Sequence, residues 1–120
     1  MGARLYTVTV DCHDPALLAR FWQRALGYSW AYDDADGSEV CIEPDDDDCP
    51  AVLFVKVPGS KLGKNRLHFD LMPEDQATEV QRLVELGAVE IDIGQSDVDW
   101  VVMADPEGNE FCVLRPETSD

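Results

Sequence analysis

The sequence predicts an α+β fold: two βαβββ modules forming a curved mixed sheet around an open cup, with the helices on the outer face. Three observations carry it. Residues 65–71 (NRLHFDL) alternate, which puts Leu67, Phe69 and Leu71 on one strand face and Arg66, His68 and Asp70 on the other. Two amphipathic helical stretches end on Leu26-Gly27 and Leu86-Gly87, sixty residues apart. Strand-like segments then follow each helix in the same order, so the second half repeats the first. A base, an imidazole and a carboxylate opposite an oily face suit a strand with helices behind it and a wet pocket in front.

Residues 4–11 alternate as a half-buried strand, with Tyr6, Val8 and Val10 inward and Thr7, Thr9 and Asp11 on the cup side. Asp14-Pro15 is a helix cap followed by proline at the first helical position. Leu17, Leu18, Phe21, Trp22 and Ala25 then recur at helical spacing up to Gly27. Segments 28–32 and 38–43 read as strands around the turn Asp36-Gly37, and the β-branched run 51–57 reads as a fourth strand. The pattern restarts with strand 67–71, and Pro73-Glu74-Asp75 opens a helix with the stripe Ala77, Val80, Leu83 and Val84. Strands at 88–93, 100–104 and 109–114 complete it, the last two joined by the turn Asp105-Pro106-Glu107-Gly108. The organisation expected is a single domain over 1–120, with repeat one at 4–57, a linker at 58–64 and repeat two at 65–115.

The chain of 120 residues is long enough for an ordinary core. Nine Lys+Arg against 25 Asp+Glu give a net charge of −16, which repels phosphate backbones and argues against nucleic acid and anionic membranes as partners. Such a field attracts cationic small molecules. Asp45 to Asp48 lacks the alternating ligand spacing of a calcium loop and reads as a solvated acidic loop. No run approaches the ~18 apolar residues of a membrane span, and strand-like sequence begins right after Met1-Gly2-Ala3, so the expectation is a cytoplasmic protein. Cys12, Cys41, Cys49 and Cys112 form no CxxC pair and read as free thiols.

Asp14-Pro15 through Phe21-Trp22 and Leu26-Gly27, then Arg66-Leu67-His68-Phe69-Asp70, Leu86-Gly87-Ala88 and Asp105-Pro106-Glu107-Gly108-Asn109 together span nearly the whole chain. In these it resembles the vicinal-oxygen-chelate superfamily, which includes glyoxalase I, bleomycin-resistance proteins, fosfomycin-resistance enzymes and extradiol dioxygenases. It is most similar to the small glyoxalase-like members. The resemblance implies metal ligands on the first, fifth and last strands. The position on the first strand is Thr7, a poor ligand; that on the fifth is His68, which matches; that on the last is Cys112, with Glu110 two residues earlier. The fourth strand, 51–55, offers no ligand. His68, Cys112 and Glu110 are the candidate metal ligands, for zinc, nickel or iron, but the pattern is degenerate and favours a metal-free cup.

Two functions stay open, with a third in which the cup is vestigial and the module structural or regulatory. One is a lyase or isomerase of glyoxalase type, in which His68 and Glu110 move a proton on a small oxygenated substrate. The alternative is a metal-independent binding or resistance protein that sequesters a cationic or aromatic ligand. The candidate ligand-contacting residues are Thr7, Thr9, Asp11, Arg66, Asp70, Trp100 and Cys112. Several of these sites also have structural readings: Cys112 as a small buried hydrophobe, Trp100 as core, Asp11 and Asp70 as partners of backbone N–H groups near the helix entries, and the catalytic candidate Glu110 as an ion-pair partner of Arg66. The resemblance further implies a homodimer.

Overall fold

A computed structural model describes residues 2–46, 48–59, 63, 65–91 and 99–116. The chain divides into two compact units, Met1–Ser60 and Lys61–Asp120. The expected linker lies partly outside the described residues, as do Asp47 of the acidic loop and residues 92–93 of the expected sixth strand.

The first unit runs β1 (Thr7–Cys12), α1 (Pro15–Leu26), β2 (Ser29–Asp33), β3 (Glu39–Glu43) and β4 (Ala51–Lys56). Its sheet has the order β1-β4-β3-β2, with β1 parallel to β4 and the other pairs antiparallel. A parallel pair needs a long crossover, and α1 supplies part of it. The helix starts where the Asp14 carboxylate accepts the Leu17 N–H (3.3 Å) and stops at Gly27, whose φ of 70° no β-carbon residue adopts comfortably. It packs against β3 and β4. Leu18, Ala19, Phe21, Trp22 and Ala25 are buried, the Phe21 and Trp22 rings meeting edge to face at 5.1 Å. Val40, Ile42, Val52 and Phe54 complete this core from the sheet.

The second unit runs β5 (Phe69–Leu71), α2 (Gln76–Leu86), β6 (Val89–Glu90), β7 (Val101–Ala104) and β8 (Glu110–Val113). Its order is β5-β8-β7-β6, with β5 parallel to β8 and antiparallel pairs beyond. Asp75 caps α2 through the Thr78 N–H (2.9 Å). Leu83, Ala88, Val102, Met103, Phe111 and Val113 are buried.

The fold is therefore α+β, as expected, with two four-stranded mixed sheets and two helices among the described residues. Several inward assignments need correction. Leu67 is 82% exposed and β5 begins only at Phe69, because the chain bends at 66–67 and strand alternation holds only where the ladder to β8 exists. Tyr6 is likewise exposed ahead of β1. Leu17 and Val84 lie on the solvent edge of their helices, and Ala77 is exposed at the start of α2. An apolar stripe read from spacing is wider than the face that the sheet covers.

Candidate functional site

The site in the second unit starts from a turn. Asp105, only 4% exposed, accepts at Oδ1 from the backbone N–H groups of Glu107 (2.9 Å) and Asn109 (3.0 Å), and its carboxylate also takes the Asn109 side-chain amide. Gly108, at φ 85°, donates its N–H to the Asp105 carbonyl (2.8 Å) and closes the turn. This knot sets the β7–β8 register, Val102 opposite Cys112 and Met103 opposite Phe111. With that register Phe111 and Val113 point into the core, and Glu110, Cys112 and Leu114 point the other way.

On the same side β5 brings Asp70 into register with Cys112. His68 stands two residues before Asp70, and its Nε2 lies 3.2 Å from Asp70 Oδ1, with both side chains about half exposed. One donor atom each of His68, Asp70 and Cys112 lie within 4.8 Å of one another. Beside them opens a hollow of about 360 Å³, in the size range of small-molecule sites. Its apolar wall is Trp100, Val102 and Leu114; His68, Asp70, Cys112 and Glu110 supply its chemistry.

Glu110 is steered by a residue that sequence reasoning passed over. Asn65 donates its backbone N–H to Glu110 Oε1 (3.2 Å) and its side-chain amide to the Glu110 carbonyl (3.5 Å). The metal-capable group of the structure accordingly contains Asp70 where the sequence reading had Glu110. The signal for Asp70 was present in the His-x-Asp spacing, since alternate strand residues share a face. Among the described residues no ion pair joins Arg66 to Glu110, and Arg66 is exposed and does not line the hollow. Trp100, read as core or ligand wall, is 43% exposed and forms part of the wall.

In the first unit Thr7 and Thr9 line a different kind of hollow, about 530 Å³, together with Tyr6, Tyr32, Cys41 and Glu43. Asp11 is exposed on β1 and lies outside its lining. Burial pushes the Cys41 thiol up, helped by the charge of Glu43, so it stays protonated. Arg4 lies over the Tyr6 ring at 5.5 Å, a cation–π contact. The four cysteines are free thiols; Cys12 and Cys41 are buried, Cys112 is half-buried and Cys49 is exposed. No helix among the described residues is long and apolar enough to cross a membrane.

An imidazole, a carboxylate and a thiol converging on one point are a donor set for a divalent cation. Comparison with known proteins agrees on the scaffold. A possible glyoxalase from Bacillus cereus superposes with a TM-score of 0.72 at 14% identity, over 94% of this chain and 99% of that one. A mutant of the fosfomycin resistance protein FosX from Listeria monocytogenes, complexed with Mn(II) and 1S,2S-dihydroxypropylphosphonic acid, gives a TM-score of 0.72 at 15% identity over 98% and 95%. The antibiotic binding protein TnmS3 from Streptomyces sp. CB03234 gives 0.65 at 18% identity over 98% of each chain. At such identities the likeness is one of fold. No protein of curated function matches the chain. The family model described as the glyoxalase-like domain matches residues 7–114, nearly the full length, and the chain belongs to that family.

Proposed function

We propose that this glyoxalase-like domain binds a small organic molecule in the hollow of its second unit. The observation that carries the reading is the meeting of an apolar wall with the His68, Asp70 and Cys112 side chains at one cavity of drug-sized volume. Trp100, Val102 and Leu114 would cover the apolar part of the ligand. The polar groups would fix its orientation. The net charge of −16 supports a cationic or aromatic ligand over an anionic one. The fold shared with an antibiotic binding protein and with a fosfomycin resistance protein supports a binding or resistance role. Homodimeric assembly in the cytoplasm belongs to the same proposal.

A second reading has its own support. The 3.2 Å His68–Asp70 contact is the arrangement in which a carboxylate orients an imidazole. Glu110 lines the same hollow, so lyase or isomerase chemistry with His68 as proton carrier is the catalytic version of the proposal. A divalent metal bound there would supply Lewis-acid polarisation of a ligand oxygen.

The test is a thermal-shift panel of cationic, neutral and anionic aromatic compounds, run in chelator. A true ligand at a hundredfold its Kd stabilises by about 2.7 kcal/mol, a shift of several degrees. Trp100→Ala should abolish the shift without lowering the melting temperature of the free protein appreciably, since the ring is 43% exposed. Indifference to the whole panel, or shifts untouched by Trp100→Ala, would sink the reading.

A further inference from the structure

The metal-ligand pattern expected on the first and fourth strands is missing, yet the second unit assembles three donors by itself. We propose that His68, Asp70 and Cys112 form a thiolate-containing site for a borderline-soft divalent ion of the zinc class, and that this site discriminates against hard ions such as Mn²⁺. The inference concerns the hollow already assigned to ligand binding and rests on that assignment for its role, though not for its existence.

The ladder makes the site. Parallel pairing sets Asp70 directly opposite Cys112, and His68, just ahead of β5, brings its Nε2 to 3.2 Å from Asp70 Oδ1. Around a tetrahedral ion with bonds of about 2.0–2.3 Å, donor atoms stand roughly 3.3–3.8 Å apart. The His68–Asp70 separation of 3.2 Å falls just short of this range, and the whole set lies within 4.8 Å. Closing the remainder needs rotation of the His68 and Asp70 side chains toward the Cys112 sulfur, and both are about half exposed. Glu110 is drawn toward Asn65, which leaves Asp70 as the carboxylate donor.

The sulfur decides the metal. Nitrogen, oxygen and thiolate together suit zinc, cobalt and their neighbours, whereas manganese and magnesium favour all-oxygen sets. Three protein donors also leave one position of four facing the hollow, the arrangement of metal sites that take an exogenous ligand. The acidic surface raises the local concentration of any divalent ion but does not select among them. Selection falls to Cys112.

Untagged, reduced and chelator-stripped protein titrated with Co²⁺ gives the test. One equivalent should bind with a near-ultraviolet thiolate-to-cobalt charge-transfer band. Zn²⁺ should displace it, and Mn²⁺ should be weaker by on the order of 100-fold or more. Cys112→Ser should remove the band, and the exposed Cys49→Ser should leave it intact. Asp70→Asn, at a half-exposed position that tolerates the change, should weaken Zn²⁺ by more than about 100-fold, beyond the 10–100-fold that loss of an outer-shell partner costs. His68→Ala should do the same. Binding should fall at low pH, because protons compete for the donors. A cobalt adduct with no thiolate band, a band that follows Cys49, or Mn²⁺ binding equal to Zn²⁺ would overturn the proposal. Organic-ligand shifts measured in chelator report separately on the hollow, so failure of the metal site and failure of the binding reading give different results.

Discussion

Three successive rungs of the longer parallel ladder set beside the three of the shorter one show how the units differ. In the first unit Val8 faces Val52, Thr9 faces Leu53 and Val10 faces Phe54; in the second Phe69 faces Phe111, Asp70 faces Cys112 and Leu71 faces Val113. The outer rungs are hydrocarbon in both. The middle rung is a hydroxyl against leucine in one and a carboxylate against a thiol in the other. The helices differ in the opposite sense. α1 buries six residues, including Phe21 and Trp22, whereas α2 buries Leu83 alone and spends Glu79 and Arg82 on an ion pair at 2.7 Å. One backbone scheme thus serves two ends: the first unit invests in apolar burial, and the second gives up part of its core for chemistry on the outer sheet face.

The largest effect should therefore come from the first helix. Trp22→Ala removes a buried ring and its edge-to-face partner contact and should cost about 3–5 kcal/mol in urea unfolding. Val84→Ala, on the exposed side of α2, should stay within about 0.5 kcal/mol. Equal costs would mean that the two helices carry the fold alike.

An intermediate effect should come from the turn under the candidate site. Asp105→Ala strands the Glu107 and Asn109 N–H groups beside a space with little solvent and should cost about 1.5–3 kcal/mol. It should also weaken Zn²⁺ binding, because Asp105 sets the register that presents Cys112. A stability loss with metal affinity unchanged would separate the turn from the site.

The smallest effect is electrostatic. Hydrogen bonds from the Thr78 hydroxyl and backbone N–H hold the Asp75 carboxyl below its ordinary range. A depressed folded-state pKa adds stability above the unfolded value, and that stability is lost as pH falls through the folded one. Melting temperatures followed downward from pH 5 should drop more steeply for the parent than for Asp75→Asn, which keeps a capping side chain but cannot titrate. Identical slopes would show that the cap charge contributes nothing to the second unit.

Much of this was legible in the chain. Both helices, with their aspartate caps and glycine stops, follow from local sterics and hydrogen bonding, which act over three or four residues. Glyoxalase-like membership was legible too, since its motifs are spread along the whole length. Leu67, Tyr6 and Leu17 show the limit: spacing marks a residue as apolar without saying whether a neighbouring element covers it. The donor set shows it again. That Asp70 rather than Glu110 joins His68 and Cys112 depends on a parallel register between strands forty residues apart, and on Asn65 drawing the Glu110 carboxylate to itself. Periodicity assigns a face to each residue, but only the pairing of distant strands decides which residues of two faces become neighbours, because that pairing is selected by the packing of the entire unit.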